Sequence, residues 1–399
     1  MHDCVILVGG KGKRLGSITK KIPKPLIKIN NIPFLNYLIF HIAKYKISKI
    51  YLIGSYKFNQ IEKLYHNRKI YNIPIEAIKE KTPKDTGGCL YELKKKIKKD
   101  FFLMNGDSFV DLDLDKFYSF AKNKKNLINL AIIKNKSYKS NKKLSSINIK
   151  KNKIILSTNS KYMNSGVYFV KKDFLKNISS PQKVSLENTI IPYLIKKNKV
   201  GGFVHKSKIF IDIGIKKNLK LAKQKLKLIK KNPAILFDRD GVLNEDRGYI
   251  YKKKDLKILN GVPYAIKYLN KKKILAIVVT NQAGIGRGFY SEKDLNDFHF
   301  FFQNKLKKFN ASIDNFYFCP FHKDGGKGKY KKDSFFRKPN PGMLLQAINE
   351  FNINKIKCLM VGDKLTDKQA ALKAGVKFFF KERKSLCTQL KENLKSIKL

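Results

Sequence analysis

A chain of 399 residues is long enough for two ordinary domains, each with its own core. A hydrophobic content of 43% with 28 Phe argues for a folded protein rather than a disordered one. No apolar run reaches the roughly 18 residues of a membrane-spanning helix. The N-terminus enters a strand-like run directly, without the features of a signal peptide, and five cysteines without paired spacing fit a reducing cytosol. The net charge of +56 would suit a polyanionic partner, yet lysine is spread through nearly every segment alongside abundant Asn and Ile. That pattern is compositional drift of an AT-rich genome, so neither a nucleic acid nor a membrane is the expected partner, although the general field still attracts phosphorylated small molecules.

In chain order, Cys4–Val8 is a short apolar strand followed by the glycine-rich loop Gly9–Leu15, GGKGKRL. Such a loop lets backbone N–H groups approach a phosphate, and it is not a Walker A loop because it lacks the Gly-Lys-Ser/Thr ending. Lys24 stands between two prolines in PKPL, a stiff segment that can aim its ammonium back at the loop; a plain surface lysine is the other reading. A helix is expected over Pro33–Lys46, strands at Ile50–Gly54 and Ile73–Lys79, and a helix over Asn59–Tyr65. Thr86-Gly87-Gly88 opens a further helical run to about Ile97. Phe101–Asn105 and Ile209–Ile213 are strands that end in Asp107 and Asp212. Carboxylates at strand ends of an open α/β sheet lie where ligands bind, and two of them can share Mg²⁺.

Lys216–Asn232 reads as the closing helix of this first domain and a short linker, with Pro233 at the boundary, which divides the chain into residues 1–229 and 230–399. Beyond it, Ala234–Asn244 (AILFDRDGVLN) runs from a buried strand into Asp238 and Asp240. Leu275–Thr280 is a second strand, followed by Asn281 and Gln282. Ser291 caps a helix over Glu292–Phe309, Asn315–Cys319 is a strand, and Arg337-Lys338-Pro339 precedes a helix near Gly342. Cys358–Gly362 ends in Asp363, with Asp367 four residues on. Alternating strands and helices predict α/β architecture throughout: two Rossmann-like, doubly wound domains in tandem.

In order, GGKGKRL, PKPL, TGG, NGDS, the Asn164-Ser165-Gly166 turn, Glu187 and IDIG resemble the sugar-1-phosphate nucleotidyltransferases over about residues 3–225, with the heptose-1-phosphate guanylyltransferases closest in pattern. The resemblance implies that Gly9, Gly10, Gly12 and Arg14 hold the triphosphate and that Lys24 orients the reacting phosphates. It also implies that Glu80, Gly87 and Gly88 border the nucleotide, that Asp107 and Asp212 hold Mg²⁺, and that Asn164, Gly166 and Glu187 contact the sugar. Two positions depart from the family. Lys13 stands where a threonine is usual, and Asp85 stands where a glycine is common, which leaves the base open.

DRDGVLN, VVTNQ, RKP and VGDKLTD resemble the four motifs of the haloacid-dehalogenase (HAD) phosphohydrolases over about residues 233–382. The resemblance implies Asp238 as nucleophile, Asp240 as acid and then base, and Thr280 and Asn281, with Gln282 beside them, at the phosphoryl oxygens. Lys338 would neutralise charge, Arg337 would contact substrate, and Mg²⁺ would sit on Asp238, the Asp240 carbonyl and Asp363. Within that family the chain looks like the heptose-bisphosphate and histidinol-phosphate phosphatases, which carry a zinc loop. Here Cys319 and His322 remain, but Ser334 and Phe336 replace the second ligand pair, so zinc is not expected.

The combined expectation is a cytoplasmic bifunctional enzyme. It would remove the 7-phosphate of a heptose 1,7-bisphosphate and then join the heptose 1-phosphate to a nucleotide, with GTP favoured, for surface-polysaccharide or lipopolysaccharide heptose. Alternatives are another sugar or nucleotide, histidinol phosphate, a first domain that only senses nucleotide, or a nucleic-acid-processing role. The oligomeric state is open.

Overall fold

The computed structural model describes residues 1–134, 147–150, 153–156, 162–178, 180, 182–229 and 231–395. It contains two compact units: Met1–Arg68 with Ile73–Ile229, and Lys230–Leu399 together with Lys69–Asn72. Lys230, at the expected boundary, lies outside the described residues.

Among the described residues, the first unit contributes nine strands to its main sheet. At its centre, His2–Leu7 lies between Ile47–Gly54 and Phe101–Asn105 and is parallel to both. Ile73–Lys79 extends the parallel part. These strands read as nearly continuous apolar runs because both sheet faces are covered; Val5, Ile6, Ile50, Leu52, Phe101 and Leu103 are fully buried. Tyr162–Val170 departs from a simple doubly wound sheet: it pairs antiparallel with both Phe101–Asn105 and Ile128–Lys134. The expected helix after Thr86 is short, Asp85–Gly88, and continues as a tight 3-10 stretch over Cys89–Leu93. Two consecutive glycines propagate a helix poorly, and their amides are engaged elsewhere.

The second unit has a five-stranded, wholly parallel sheet. Its spatial order is Asn315–Cys319, Leu275–Asn281, Asn232–Phe237, Ile353–Gly362 and Lys377–Phe380. The AILF run is the central strand, with Ala234, Ile235, Leu236 and Phe237 all fully buried. Ser291 caps the helix Glu292–Lys307 through a capping box: its hydroxyl accepts from the Asp294 N–H, and the Asp294 carboxylate accepts from the Ser291 N–H. The linker helix ends at Lys225, with Asn218, Ala222 and Leu226 buried beneath it, whereas Leu228 is exposed.

The loop after His2–Leu7 and the end of Ile47–Gly54 touch through glycine. A Cβ on Gly54 would lie 2.6 Å from the Gly9 Cα, closer than real carbon atoms approach, whereas a Cβ on Gly10 meets nothing within 4 Å. Gly54→Ala should therefore lower the unfolding free energy by about 1–3 kcal/mol through overpacking. Gly10→Ala should change it by less than about 0.5 kcal/mol. Urea denaturation of the two variants checks the contrast.

Candidate functional site

Two sites form, one at the strand ends of each unit. In the first unit, Gly9 and Gly10 open the loop directly after the central strand. Gly12 has φ +65°, a conformation that favours glycine, and a side chain there would press on Lys24 and Thr19 at 2.8 Å. The Pro-flanked Lys24 is no surface lysine: its Nζ meets Asp107 Oδ2 at 2.8 Å, with only 11% of the side chain exposed. Ser108–Val110 pairs antiparallel with Phe210–Asp212, placing Ser108 opposite Asp212, and Ile213 N–H donates to the Asp107 carbonyl at 2.9 Å. Asp107 and Asp212 are thereby brought together. The Asp212 carboxyl is pushed above its usual range by burial and then by the charge of Asp107, against the opposing fields of Lys24 and Arg14. Arg14 itself is exposed. Two hard carboxylates whose charges oppose each other fit a divalent cation such as Mg²⁺.

A cavity of about 650 Å³ opens here, lined among others by Gly9, Gly10, Lys24, Glu80, Asp85 and Asp107. Glu80 is buried and accepts from the Lys84 N–H at 3.1 Å. Gly87 and Gly88 lie close by, but both amides donate to the Val184 carbonyl, at 2.9 and 3.1 Å. A Cβ on Gly88 would collide with the Gln182 carbonyl. The pair therefore serves close packing of the 182–186 segment rather than offering free N–H groups.

The three residues expected at the sugar join through two that sequence reasoning missed. Asn164 Nδ2 donates to the Tyr168 hydroxyl at 2.8 Å, and that hydroxyl donates to Glu187 at 3.3 Å. The Thr86 hydroxyl holds the other Glu187 oxygen at 2.6 Å. Gly166, at φ +77°, donates its N–H to Asn164 Oδ1 at 2.9 Å. Tyr168 sits four residues after Asn164 on the same strand, a spacing too common to carry a signal.

In the second unit, Asp238 ends the central strand and its N–H donates to the Val361 carbonyl at 3.0 Å. Lys338 is 2% exposed and lies 2.9 Å from Asp238 Oδ1 and 2.6 Å from Asp367 Oδ1, donating also to the Val279 carbonyl at 3.0 Å. Burial works to lower the Lys338 pKa, but the two carboxylates outweigh it and hold the ammonium above its ordinary value. Asn281 fixes the Lys338 backbone in both directions, its Oδ1 accepting the N–H and its Nδ2 donating to the carbonyl, both at 3.0 Å. Among the described residues, oxygens of Asp238, Asp363 and Asp367 gather within 4.8 Å of one another. Asp363 Oδ1 is buried and accepts no hydrogen bond, which leaves it available to a cation. Gly241, at φ +82°, makes room: a Cβ there would collide with Asp363 Oδ2. These residues fit Mg²⁺.

The Asp240 carboxylate does not join that group. It is gripped by the fully buried Arg239 through Nε at 3.0 Å and an Nη at 2.9 Å, and by Asn244 and Gln282 at 2.9 and 3.0 Å. Gln282 also donates to Thr280 at 2.9 Å and accepts from Tyr290 at 2.6 Å, so Thr280, Gln282 and Asp240 form one hydrogen-bonded chain. Arg239 lies over the Phe298 ring at 4.9 Å and beside His299, whose pKa burial and the guanidinium hold well below its ordinary value. Arg337 is half-buried and donates to the Phe321 carbonyl at 3.2 Å. Arg239 and Asp367 were visible in the motifs, but their burial was not. Of a four-ligand zinc loop only Cys319 and His322 remain here, with Ser334 and Phe336 at the other two positions.

Asp367→Ala removes half of the counter-charge of a buried ammonium and should cost about 3–5 kcal/mol of stability in urea denaturation. The Asp238 carboxyl is raised to about 6 by burial, against the pull of Lys338 and with the push of Asp367 and Asp240. A cation must displace that proton as pH falls below 6. The apparent Mg²⁺ dissociation constant of the second unit should then rise about tenfold per pH unit below 6 and level off above it, as calorimetric titration of the full chain carrying Asp107→Asn at several pH values would show.

The nucleotidyl transferase family profile matches residues 3–228, more than half of the chain, and a HAD-hydrolase-like profile matches residues 335–380. The D-glycero-alpha-D-manno-heptose-1,7-bisphosphate 7-phosphatase of Burkholderia mallei is 45% identical over 146 residues, covering 37% of this chain and 77% of that protein. The D-glycero-beta-D-manno-heptose-1,7-bisphosphate 7-phosphatase of Haemophilus influenzae is 42% identical over 146 residues, covering 37% of this chain and 79% of that one. The crystal structure of HddC from Yersinia pseudotuberculosis aligns with 57% of this chain and 100% of its own, at 28% identity and a TM-score of 0.49. The chain belongs to the nucleotidyl transferase family in its first unit and to the family of HAD-like heptose-bisphosphate phosphatases in its second.

Proposed function

We propose that the chain is a bifunctional cytoplasmic enzyme that converts a heptose 1,7-bisphosphate to a nucleotide-heptose, with GTP as the favoured triphosphate, in supply of surface-polysaccharide or lipopolysaccharide heptose. The observation that carries the reading is one chain holding two intact acidic constellations, Asp107 with Asp212 and Asp238 with Asp363, each served by a buried or half-buried lysine. The product of one activity is the substrate of the other.

In the second unit, an Asp238 oxygen attacks the phosphorus of the 7-phosphate, and the bond from phosphorus to the sugar oxygen breaks. Asp240, once a proton takes the place of the donor it now accepts from Asn244 or Gln282, gives that proton to the sugar oxygen. Water then attacks the aspartyl phosphate, Asp240 takes its proton, and phosphate leaves with Asp238 restored. Lys338 offsets the phosphoryl charge, and Asn281 keeps it in place through its backbone. Thr280 and Gln282 orient Asp240 and the phosphoryl oxygens, and Arg337 faces the rest of the substrate. Asp238, Asp363 and the Asp240 carbonyl would hold Mg²⁺, which would neutralise phosphoryl charge when bound.

In the first unit, a phosphate oxygen of heptose 1-phosphate attacks the α-phosphorus of the triphosphate and pyrophosphate leaves. There is little covalent work, so positioning dominates. Gly9, Gly10, Gly12 and Arg14 hold the phosphates and Lys24 orients them. Glu80 borders the base, with Gly87 and Gly88 shaping the wall behind it. Asn164, Gly166 and Glu187 position the sugar, and Asp107 and Asp212 would hold Mg²⁺.

The test incubates the full chain with heptose 1,7-bisphosphate, Mg²⁺ and each triphosphate, and identifies the product by mass. Asp238→Asn should cut phosphate release roughly 1,000-fold or more while still charging supplied heptose 1-phosphate. Asp107→Asn should do the reverse. Phosphate release from histidinol phosphate with none from the heptose bisphosphate would sink the sugar assignment.

A further inference from the structure

Asp85 occupies the position where related nucleotidyltransferases commonly carry glycine, and the structure gives the reason glycine suits it: φ is +63°. Most side chains are strained in that region, and aspartate is among the few that tolerate it. This chain keeps a carboxylate there. The carboxylate is exposed, and it lines the same cavity as Gly9, Gly10 and Glu80. Its Oδ1 accepts the Thr86 N–H at 2.8 Å, which fixes the orientation of the group. Among the described residues no cation lies in an ion pair with it, although lysine is everywhere in the sequence. The neighbouring Glu80 is buried and already accepts from Lys84 N–H. Asp85 therefore presents an exposed, oriented carboxylate to the cavity.

We propose that Asp85 reads the nucleotide base and selects guanine, its two oxygens accepting from guanine N1–H and the 2-amino group. The inference rests on the nucleotidyl-transfer reading of the first unit and names the chemistry of its base site. An ionised carboxylate is acceptor-only, with two oxygens side by side. Guanine places two donors side by side on its pairing edge. Adenine and cytosine place one amine beside a ring nitrogen that is itself an acceptor. Uracil places a single N–H between two carbonyls. Each of these sets an acceptor against the second carboxylate oxygen, and an unpaired or opposed polar group is where a site built for hydrogen bonding discriminates most. Lys183 lines the same cavity and supplies a donor of the kind that guanine O6 accepts. A glycine at this position would offer no such edge, so the departure from the family pattern is a gain of base selectivity.

The experiment is calorimetric binding of GTP, ITP, ATP and UTP to the full chain with Mg²⁺, for the wild type, Asp85→Gly and Asp85→Asn. Inosine keeps N1–H and lacks the 2-amino group, so the GTP-to-ITP ratio reads the second hydrogen bond directly. The wild type should bind GTP about 10- to 100-fold tighter than ITP. Asp85→Gly, which suits the backbone and should leave the melting temperature unchanged or higher, should bring that ratio toward unity. Asp85→Asn, with a donor in place of one acceptor, should do the same. A wild-type ratio near unity, a ratio unmoved by both variants, or tighter binding of another triphosphate than GTP overturns the assignment, as does failure to bind any triphosphate. A chain that binds GTP with the expected ratio but forms no nucleotide-sugar from heptose 1-phosphate keeps this assignment and loses the sugar assignment.

Discussion

The second unit depends on one buried cation. Lys338 sits between Asp238 and Asp367 where neither carboxylate has enough water to tolerate the other. Without the ammonium, two like charges would face each other in a dry strand end; without the carboxylates, a buried ammonium would be uncompensated. The arrangement is held by backbone as well as charge, since Asn281 pins the Lys338 peptide and the Val279 carbonyl takes a third contact. The first unit repeats the device in a wetter setting: Lys24 meets Asp107, and Asp212 stands beside them. Both lysines border proline, which limits backbone freedom and so reduces the entropy lost in aiming a long side chain.

Both sheets exist to put those groups at strand ends. The central strands are buried on both faces, and their carboxyl ends converge where the next helix or loop must turn away. Glycines then set how closely the loops approach: Gly9 against Gly54 in one unit, and Gly241 against Asp363 in the other. The antiparallel strand Tyr162–Val170 adds something a pure doubly wound sheet lacks. It carries Asn164, Gly166 and Tyr168 to the same end as Asp107, and Tyr168 joins Asn164 to Glu187.

Local signals were read well where a residue's own chemistry decides its structure. The cap at Ser291, the apolar runs AILF and LAIVVT, and the strand Ile73–Lys79 stand where the pattern puts them. Motif order was equally legible, because strand–loop–acid spacing is local. Reading failed where distant segments compete for the same atoms. Gly87 and Gly88, expected beside the nucleotide, have both amides taken by Val184, about a hundred residues away. Arg239 looks like a spacer between two aspartates until burial makes it the clamp on one of them.

The sequence by itself determined two α/β units, the strand ends at which acids gather, and the families to which those ends belong, since all of these are written in short contiguous stretches. Only the tertiary structure decided which acids share a cation and which are tied down. It placed Asp367 beside Lys338, turned Asp240 toward Arg239 and Gln282, and left Asp363 Oδ1 without a partner. The reason is electrostatic: a carboxylate's role follows from its burial and its nearest charges, and both are set by segments far away in the chain.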